Sequence, residues 1–416
     1  MLIPFTAVSS GLSIFIPLYI IYMNGSVLDI SIAFALYNLI SIPSSIFWGK
    51  ITDRYRRIKP FIIFSIFGTL PLLFAFILVH NVYSVFIEYA IFAVIATASS
   101  PAINILVMGT KRSRNLPKHF SRYSIFGLSG STLAFIFGIF IGSNNLLTYV
   151  YFLIIFEFVA LIIGYALIKE DTRVMANTTE IKHVNKLFPI LNTITKLPNM
   201  LVSGNTIIHL HNTIKNFEKK RVYQLLGAIV LFNVGYYLFN TSYIPYLKLS
   251  GLDYSSIFII NMLNGLAQIC IFLMIIRIRK GFRLGRWYTK AIAYRSLSYV
   301  IALISMFIPS LFFQANIIAY IIAGLSYAIW NLSSSVLLYN IIRGDTAGYY
   351  VGIWTGLLGG SAVFGAIMSG IVSLYLGYQV TFIFAILMTI ASGILFNKKF
   401  NVRIIPQKKV IIGLHT

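Results

Sequence analysis

The most constraining feature of this chain is the recurrence, from one end to the other, of apolar runs of about 18 residues or more. That is the length that crosses a bilayer as a helix. Twelve such stretches are read, at roughly residues 2–23, 30–50, 60–79, 82–109, 122–142, 145–168, 222–247, 254–276, 289–309, 313–342, 347–375 and 379–397. A soluble helix of this length shows a polar face at every turn; most of these do not. The chain is 58% hydrophobic and only 10% charged, with a mean hydropathy of +0.85. So little charge cannot cover the surface of a soluble protein of 416 residues. The expected fold class is an all-α polytopic membrane protein with 12 transmembrane helices.

The net charge of +23 would suggest nucleic acid in a soluble protein. Here the bases sit in bursts between alternate apolar runs: Lys50 to Lys59, Lys111 to Arg122, Lys169 to Arg221, Arg277 to Lys290, Arg343, and Lys398 to Lys409. Only Lys248 and Arg295 fall outside these bursts, and the intervening loops near Gly25, Asn81, Ser143, Ser310 and Gly377 carry no Lys or Arg. This is the positive-inside pattern. It predicts a cell-membrane protein with both termini in the cytoplasm, and it accounts for the charge without nucleic acid. The first run has no basic segment ahead of it and no clear cleavage site, so it reads as a membrane helix rather than a signal peptide.

One connection is long. It divides the chain into an N-terminal six-helix bundle (1–168), a cytoplasmic basic linker (169–221), a C-terminal six-helix bundle (222–397) and a basic cytoplasmic tail (398–416). Within the linker, Leu187, Phe188, Ile190, Leu191, Ile194 and Leu197 alternate with bases. The segment reads either as amphipathic and lying on an anionic membrane surface or as a loosely ordered connection, since Pro189, Pro198 and Gly204 interrupt any long helix. The two halves share weak internal similarities in the same order. Ile16-Pro17-Leu18-Tyr19 corresponds to Ile244-Pro245-Tyr246-Leu247, Asn38 to Asn261 or Asn264, Ser99-Ser100 to Ser333-Ser334, and Gly127-Leu128-Ser129-Gly130 to Gly356-Leu357-Leu358-Gly359. Two six-helix bundles related by a pseudo-twofold axis are expected, with a substrate site at the repeat interface.

After the second run the sequence reads Gly49-Lys50-Ile51-Thr52-Asp53-Arg54-Tyr55-Arg56-Arg57. An acid set among bases at a helix end is stabilised by neighbouring Arg residues or by another helix N-terminus. A glycine there permits close helix approach. The loop resembles the signature loop of the major facilitator superfamily (MFS), carried by Gly49, Asp53, Arg54 and Arg57. It departs at Arg56, where the family usually has glycine, and at Ile58, where another base is frequent. The twelve-helix, basic-linker plan extends the resemblance over nearly the whole chain. It implies a secondary transporter working by alternating access, with Asp53 latching the two bundles on the cytoplasmic side against the start of the eleventh helix, near Asp345 to Gly348. The matching loop of the second half, Arg277-Ile278-Arg279-Lys280-Gly281, keeps the bases and lacks the acid, so an asymmetric latch is expected.

Ionisable residues within the runs are few: Glu88, Glu157 and Arg295. Groups of this kind are costly at depth and are functional candidates by default. Glu88 lies about seven residues inside the fourth run, one of the cavity-lining helices that the resemblance implies. It reads as a proton or cation site, or as a neutral, hydrogen-bonded carboxyl near the rim. Glu157 lies mid-run in the sixth, where a structural role is the plainer reading. Arg295 lies near the start of the ninth and is expected to snorkel to the interface. Among neutral polar groups, Asn233, Tyr236, Tyr237 and Asn240 share a helical face. Asn38, Asn261, Asn264, Trp330 and Asn331 complete the candidate cavity wall, which suits a neutral or amphipathic small solute.

Rival classes lack their chemistry. Gly127-Leu128-Ser129-Gly130 fits an intramembrane serine protease pattern, but none of the six His lies in a run to serve as base. There is no His-Glu-x-x-His and no cysteine cluster, Cys270 being the single cysteine. Neither a channel filter nor a periodic voltage-sensor Arg array occurs. The expectation is therefore a non-enzymatic carrier with no cofactor and no metal, functional as a monomer. Its partners are a small-molecule substrate, the lipid bilayer and, if Glu88 titrates, protons. A membrane-embedded enzyme or a channel is the alternative.

Overall fold

The computed structural model describes residues 1–55, 58–79, 81–103, 116–141, 146–168, 220–277, 284–341 and 347–396. The linker and tail lie almost wholly outside the described residues. Within them the chain forms long helices: α1 (Leu2–Tyr22), α2 (Val27–Tyr55), α3 (Lys59–Leu78), α4 (Val82–Ala96), α5 (Leu116–Ile141), α6 (Leu146–Leu167), α7 (Lys220–Leu249), α8 (Tyr254–Arg277), α9 (Leu284–Ser305), α10 (Phe312–Ile341), α11 (Ala347–Tyr375) and α12 (Gly377–Phe396). Eleven stretches among the described residues are long and apolar enough to cross a membrane, and α9, which carries Arg286, Lys290 and Arg295, is not one of them. The protein is an all-α polytopic membrane protein.

Two local features have simple causes. The fourth run does not continue as one helix, because α4 breaks at Thr97–Ala98 and helix resumes from Ser99 to Ile103. Pro101, four residues after Thr97, has no N–H to donate back to the Thr97 carbonyl. The tight connection from α7 to α8 uses Gly251 at φ +95°, and that from α11 to α12 uses Gly377 at φ +85°. Both are left-handed conformations that glycine adopts without penalty.

Lys50 of α2, Lys59 of α3, Lys118 and Arg122 of α5, Lys220 and Arg221 of α7, Arg277 of α8, and Arg286 and Lys290 of α9 mark one end of these helices, called the basic end below, the other being the opposite end. In the first six helices α1 packs on α5 and α6, α3 on α4 and α6, and α2 on α4. In the last six α7 packs on α11 and α12, α9 on α10 and α12, and α8 on α10. The two sets meet chiefly through α2 on α11 and α5 on α8. At the opposite end one apolar core runs across both sets, joining Leu18 and Tyr19 of α1 to Ile244 and Leu247 of α7 and to Phe258 of α8. Toward the basic end the core divides. Ile58, Ile62 and Ile103 belong to one cluster, and Leu225, Phe232, Trp330 and Trp354 to another.

Candidate functional site

Beside the second of these clusters, which contributes Trp330 and Trp354 to its wall, lies a cavity of about 330 Å³. Asn38, Ser41 and Ser45 of α2 and Thr97 beyond α4 form one wall. Asn233 and Tyr237 of α7, Tyr327, Trp330 and Asn331 of α10, and Trp354 of α11 form the other. The lining begins at mid-depth and extends into the basic half of each helix. A larger cavity, about 720 Å³, lies at the opposite end among the connections of α7 to α12 alone. A solute held there touches only one set of helices, so the central cavity is the better candidate for a site shared by both.

Helix spacings bound the cavity on its opposite-end side. In the opposite half α2 and α11 are nearly in backbone contact: a Cβ added to Gly370 would lie 2.4 Å from Ser31 Cβ and 3.3 Å from Leu28 Cα. A Cβ on Gly138 of α5 would meet the Phe258 ring of α8 at 2.4 Å, and Ser255 Oγ donates to the Ile139 carbonyl at 2.9 Å. Nearer the basic end the approach is by side chain only: a Cβ on Gly359 of α11 would meet the Ile42 side chain of α2 at 2.4 Å, and one on Gly356, a turn further on, would meet no described atom within 4 Å.

The polar wall is held by hydrogen bonds between helices. Asn233 Nδ2 donates to the Leu358 carbonyl at 2.9 Å and to Ser361 Oγ at 2.6 Å, tying α7 to α11. Asn38 Nδ2 donates to the Phe34 carbonyl of its own helix at 2.8 Å, which leaves its second amide proton for another acceptor. Trp330 stacks on Phe232 with centroids 4.5 Å apart.

Of the sequence-predicted residues, Asn38, Asn233, Tyr237, Trp330 and Asn331 are brought together here. Tyr236 and Asn240 face away from the cavity, into α10: Asn240 Oδ1 accepts from Tyr320 Oη at 2.8 Å, and Tyr236 stacks on Tyr327 at 5.0 Å. Asn261 bonds the Ile257 carbonyl of its own helix at 2.9 Å, and Asn264 bonds the Tyr320 carbonyl at 2.8 Å, so both serve packing. Glu88 is half-buried, is not among the lining residues, and its Oε2 has no partner among the described residues. Glu157 is fully buried and accepts a hydrogen bond from Thr69 Oγ1, linking α6 to α3.

Arg295 corrects the sequence reading. It does not snorkel; it is 2% exposed. The helix begins at Leu284, not near 289, so Arg295 falls at its centre. Its Nε donates to Tyr299 Oη at 2.8 Å and its Nη1 to the Ala323 carbonyl at 3.0 Å.

In the signature loop, Gly49 sits on α2 with Pro101 nearby, the Cγ 3.9 Å from a Cβ placed on the glycine. The side chains of Asp53 and Arg54, all of Arg57, and the side chains expected opposite them near Asp345 to Gly348 lie outside the described residues. Lining residues that the sequence reading passed over are Ser41, Ser45, Thr97, Ser335 and Trp354. The hydroxyls among them carry little hydropathy signal, and several bond their own helix, as Ser41 does to the Tyr37 carbonyl at 2.6 Å. No group of His, Cys, Asp and Glu among the described residues is arranged to hold a metal.

The sequence profile of the Major Facilitator Superfamily matches residues 2–350. The chain belongs to the Major Facilitator Superfamily. Solved structures with similar folds include a mutant of the nucleoside transporter NupG, at 14% identity and a TM-score of 0.66, covering 95% of this chain and 98% of that one. A mutant of the peptide transporter POT in complex with alafosfalin aligns at 13% identity and a TM-score of 0.66, covering 95% and 91%. The human organic anion transporter MFSD10 aligns at 12% identity and a TM-score of 0.66, covering 95% and 97%. At such identities these likenesses concern the fold. No curated protein matches the chain by sequence.

Proposed function

We propose that this MFS protein is a secondary carrier that moves a small solute across the membrane by alternating access. The observation that carries the proposal is the asymmetry of the α2–α11 seam. Backbones nearly touch around Gly370 at one end, whereas toward the other only the Ile42 side chain reaches Gly359 and no described atom lies near a Cβ on Gly356, with a polar, aromatic cavity beside this stretch. Two six-helix bundles, 1–168 and 222–397, rocking about that seam would expose the cavity to each side in turn. Their approximate twofold relation is supported by the contacts, since the five pairings described above among α1 to α6 recur six helices later, and α2 on α11 has its counterpart in α8 on α5. The distribution of Lys and Arg supports a cytoplasmic basic end, and the cavity is then open inward.

On this reading Asp53 closes the basic end in the opposite conformation, together with Gly49, Arg54 and Arg57. Glu88, whose Oε2 is buried without a partner among the described residues, is the candidate proton carrier. The carrier reading is tested by counterflow in proteoliposomes loaded with candidate metabolites. Trans-stimulated, saturable uptake of a labelled solute supports it; conductance without exchange refutes it. Uptake whose pH dependence survives Glu88→Gln removes Glu88 from the coupling role.

A further inference from the structure

The described residues lining the central cavity include no Asp, Glu, Lys, Arg or His. A buried formal charge lies behind its wall, separated from it by the Tyr236 and Tyr327 rings. Arg295 projects from the middle of α9 between α7 and α10, with its guanidinium carbon 4.7 Å from the centroid of Tyr236. The Tyr236 ring in turn stacks on Tyr327, a lining residue, at 5.0 Å. Two aromatic spacings therefore put the charge within about 10 Å of the cavity wall.

No carboxylate among the described residues pairs with this guanidinium. Its contacts are the Tyr299 hydroxyl, the Ala323 carbonyl and the faces of Tyr236 and Tyr299. Glu88 and Glu157, the acids buried at depth, belong to α4 and α6 of the other half. Carbonyls and ring faces hold a cation in place, but they do not neutralise it, and its field extends into the cavity.

We infer that Arg295 sets the charge preference of the central cavity, selecting a small organic anion over a neutral solute of the same shape and excluding a cation. This rests on the carrier reading above, because it assumes that the cavity is the solute site. A unit charge about 10 Å away, at an effective dielectric constant of about 20, enriches a monovalent anion roughly tenfold and depletes a monovalent cation to a similar degree. Arg295 touches no solute in this arrangement, so it is a specificity-determining residue acting through space. The direct hydrogen bonds to the anion come from the wall, the second amide proton of Asn38 among them.

The test needs no known substrate, because two of the four Trp, Trp330 and Trp354, line the cavity. With Trp48→Phe and Trp287→Phe in the full chain in nanodiscs, cavity fluorescence is quenched with acrylamide, iodide and caesium at constant ionic strength, each referred to a free tryptophan amide. The expected result is an iodide-to-caesium quenching ratio about a hundredfold above the reference, the product of the two effects. It should fall toward the reference in Arg295→Gln and be retained in Arg295→Lys. A ratio unchanged in folded Arg295→Gln overturns the inference.

Should that variant fail to fold, the parent protein decides the question by its salt dependence. Rim charges on the basic loops are screened at about 1 M salt, whereas a buried charge is screened far less. A ratio that survives about 1 M salt supports Arg295 as its source; one that collapses to the reference overturns it. Acrylamide separates the two readings. If it fails to quench, the solvent-filled cavity and the carrier reading fall together. If it quenches while the charged quenchers match the reference, only the inference about Arg295 falls.

Discussion

Alanine at Gly370 should drive the protein out of the conformation described above. A Cβ on Gly370 would lie 2.4 Å from Ser31 Cβ, whereas carbon atoms in contact settle at about 3.5–4.0 Å. Rotating Ser31 moves its hydroxyl but not its Cβ, and Leu28 Cα stands 3.3 Å away on the same helix. Helices α2 and α11 must therefore part by about 1 Å at the opposite end. Overpacking of this kind costs about 1–3 kcal/mol, and the cost falls only on the conformation in which that end is closed. The equilibrium with a state open at the opposite end should then shift by about 5- to 150-fold.

The mirror-image substitution has the reverse sign. Gly356 lies near the same face of α11 and has no described atom within 4 Å of an added Cβ, so Gly356→Ala should be harmless in this conformation and should penalise any state in which the basic end closes on it. Spin labels on Tyr22 and Tyr375, both exposed at the opposite end on different halves, read the distance directly in a Cys270→Ser background. A longer-distance population that grows in Gly370→Ala and shrinks in Gly356→Ala is expected. Identical distance distributions in parent and Gly370→Ala would falsify the reasoning.

Other substitutions separate fold from function. Gly130→Ala places a Cβ 2.0 Å from the Ile3 carbonyl oxygen, between α5 and α1 of the same half. It should lower thermal stability by about 1–3 kcal/mol in unfolding scans, without altering the Tyr22–Tyr375 distance. Asn233→Leu removes both bonds from α7 to α11, each worth about 0.6–1.7 kcal/mol in membrane proteins; the melting temperature should fall, and solute-induced stabilisation should fall with it. Glu157→Gln keeps an oxygen to accept from Thr69, so stability and counterflow should both match the parent; lost flux in a folded protein would instead make Glu157 a participant in transport. Asp53→Asn should raise the share of the state described here, seen as greater labelling of a cysteine placed at Asn38, and unchanged labelling would count against the latch.

What the sequence made legible, and what it did not, divides along physical lines. A bilayer demands long apolar helices, so apolar runs located most helices to within a few residues, the larger differences being the ends of α2 and α4 and the starts of α5 and α9. The miss at α9 came from the same rule. Arg286 and Lys290 look like interfacial charges, which placed the helix start near 289 and left Arg295 close to the surface. The helix begins instead at Leu284, because Lys290 can reach out along its own stem, and Arg295 is carried to mid-depth.

Periodicity also found the polar stripe on α7 but could not say where each residue points. Residues 236 and 237 differ by about 100° around a helix, enough to turn Tyr237 into the cavity and Tyr236 toward Arg295. A stripe spanning three spacings is wide enough to serve two neighbours at once, and which neighbour receives which residue depends on how α7 packs on α10 and α11. That packing is set by small groups, such as Gly365 against Val234 and Ser369 against the Leu238 carbonyl, to which hydropathy is nearly blind. The buried charge proposed to bias the cavity therefore lies where hydropathy discounts it, on α9, linked to the cavity wall by the Tyr236 and Tyr327 rings.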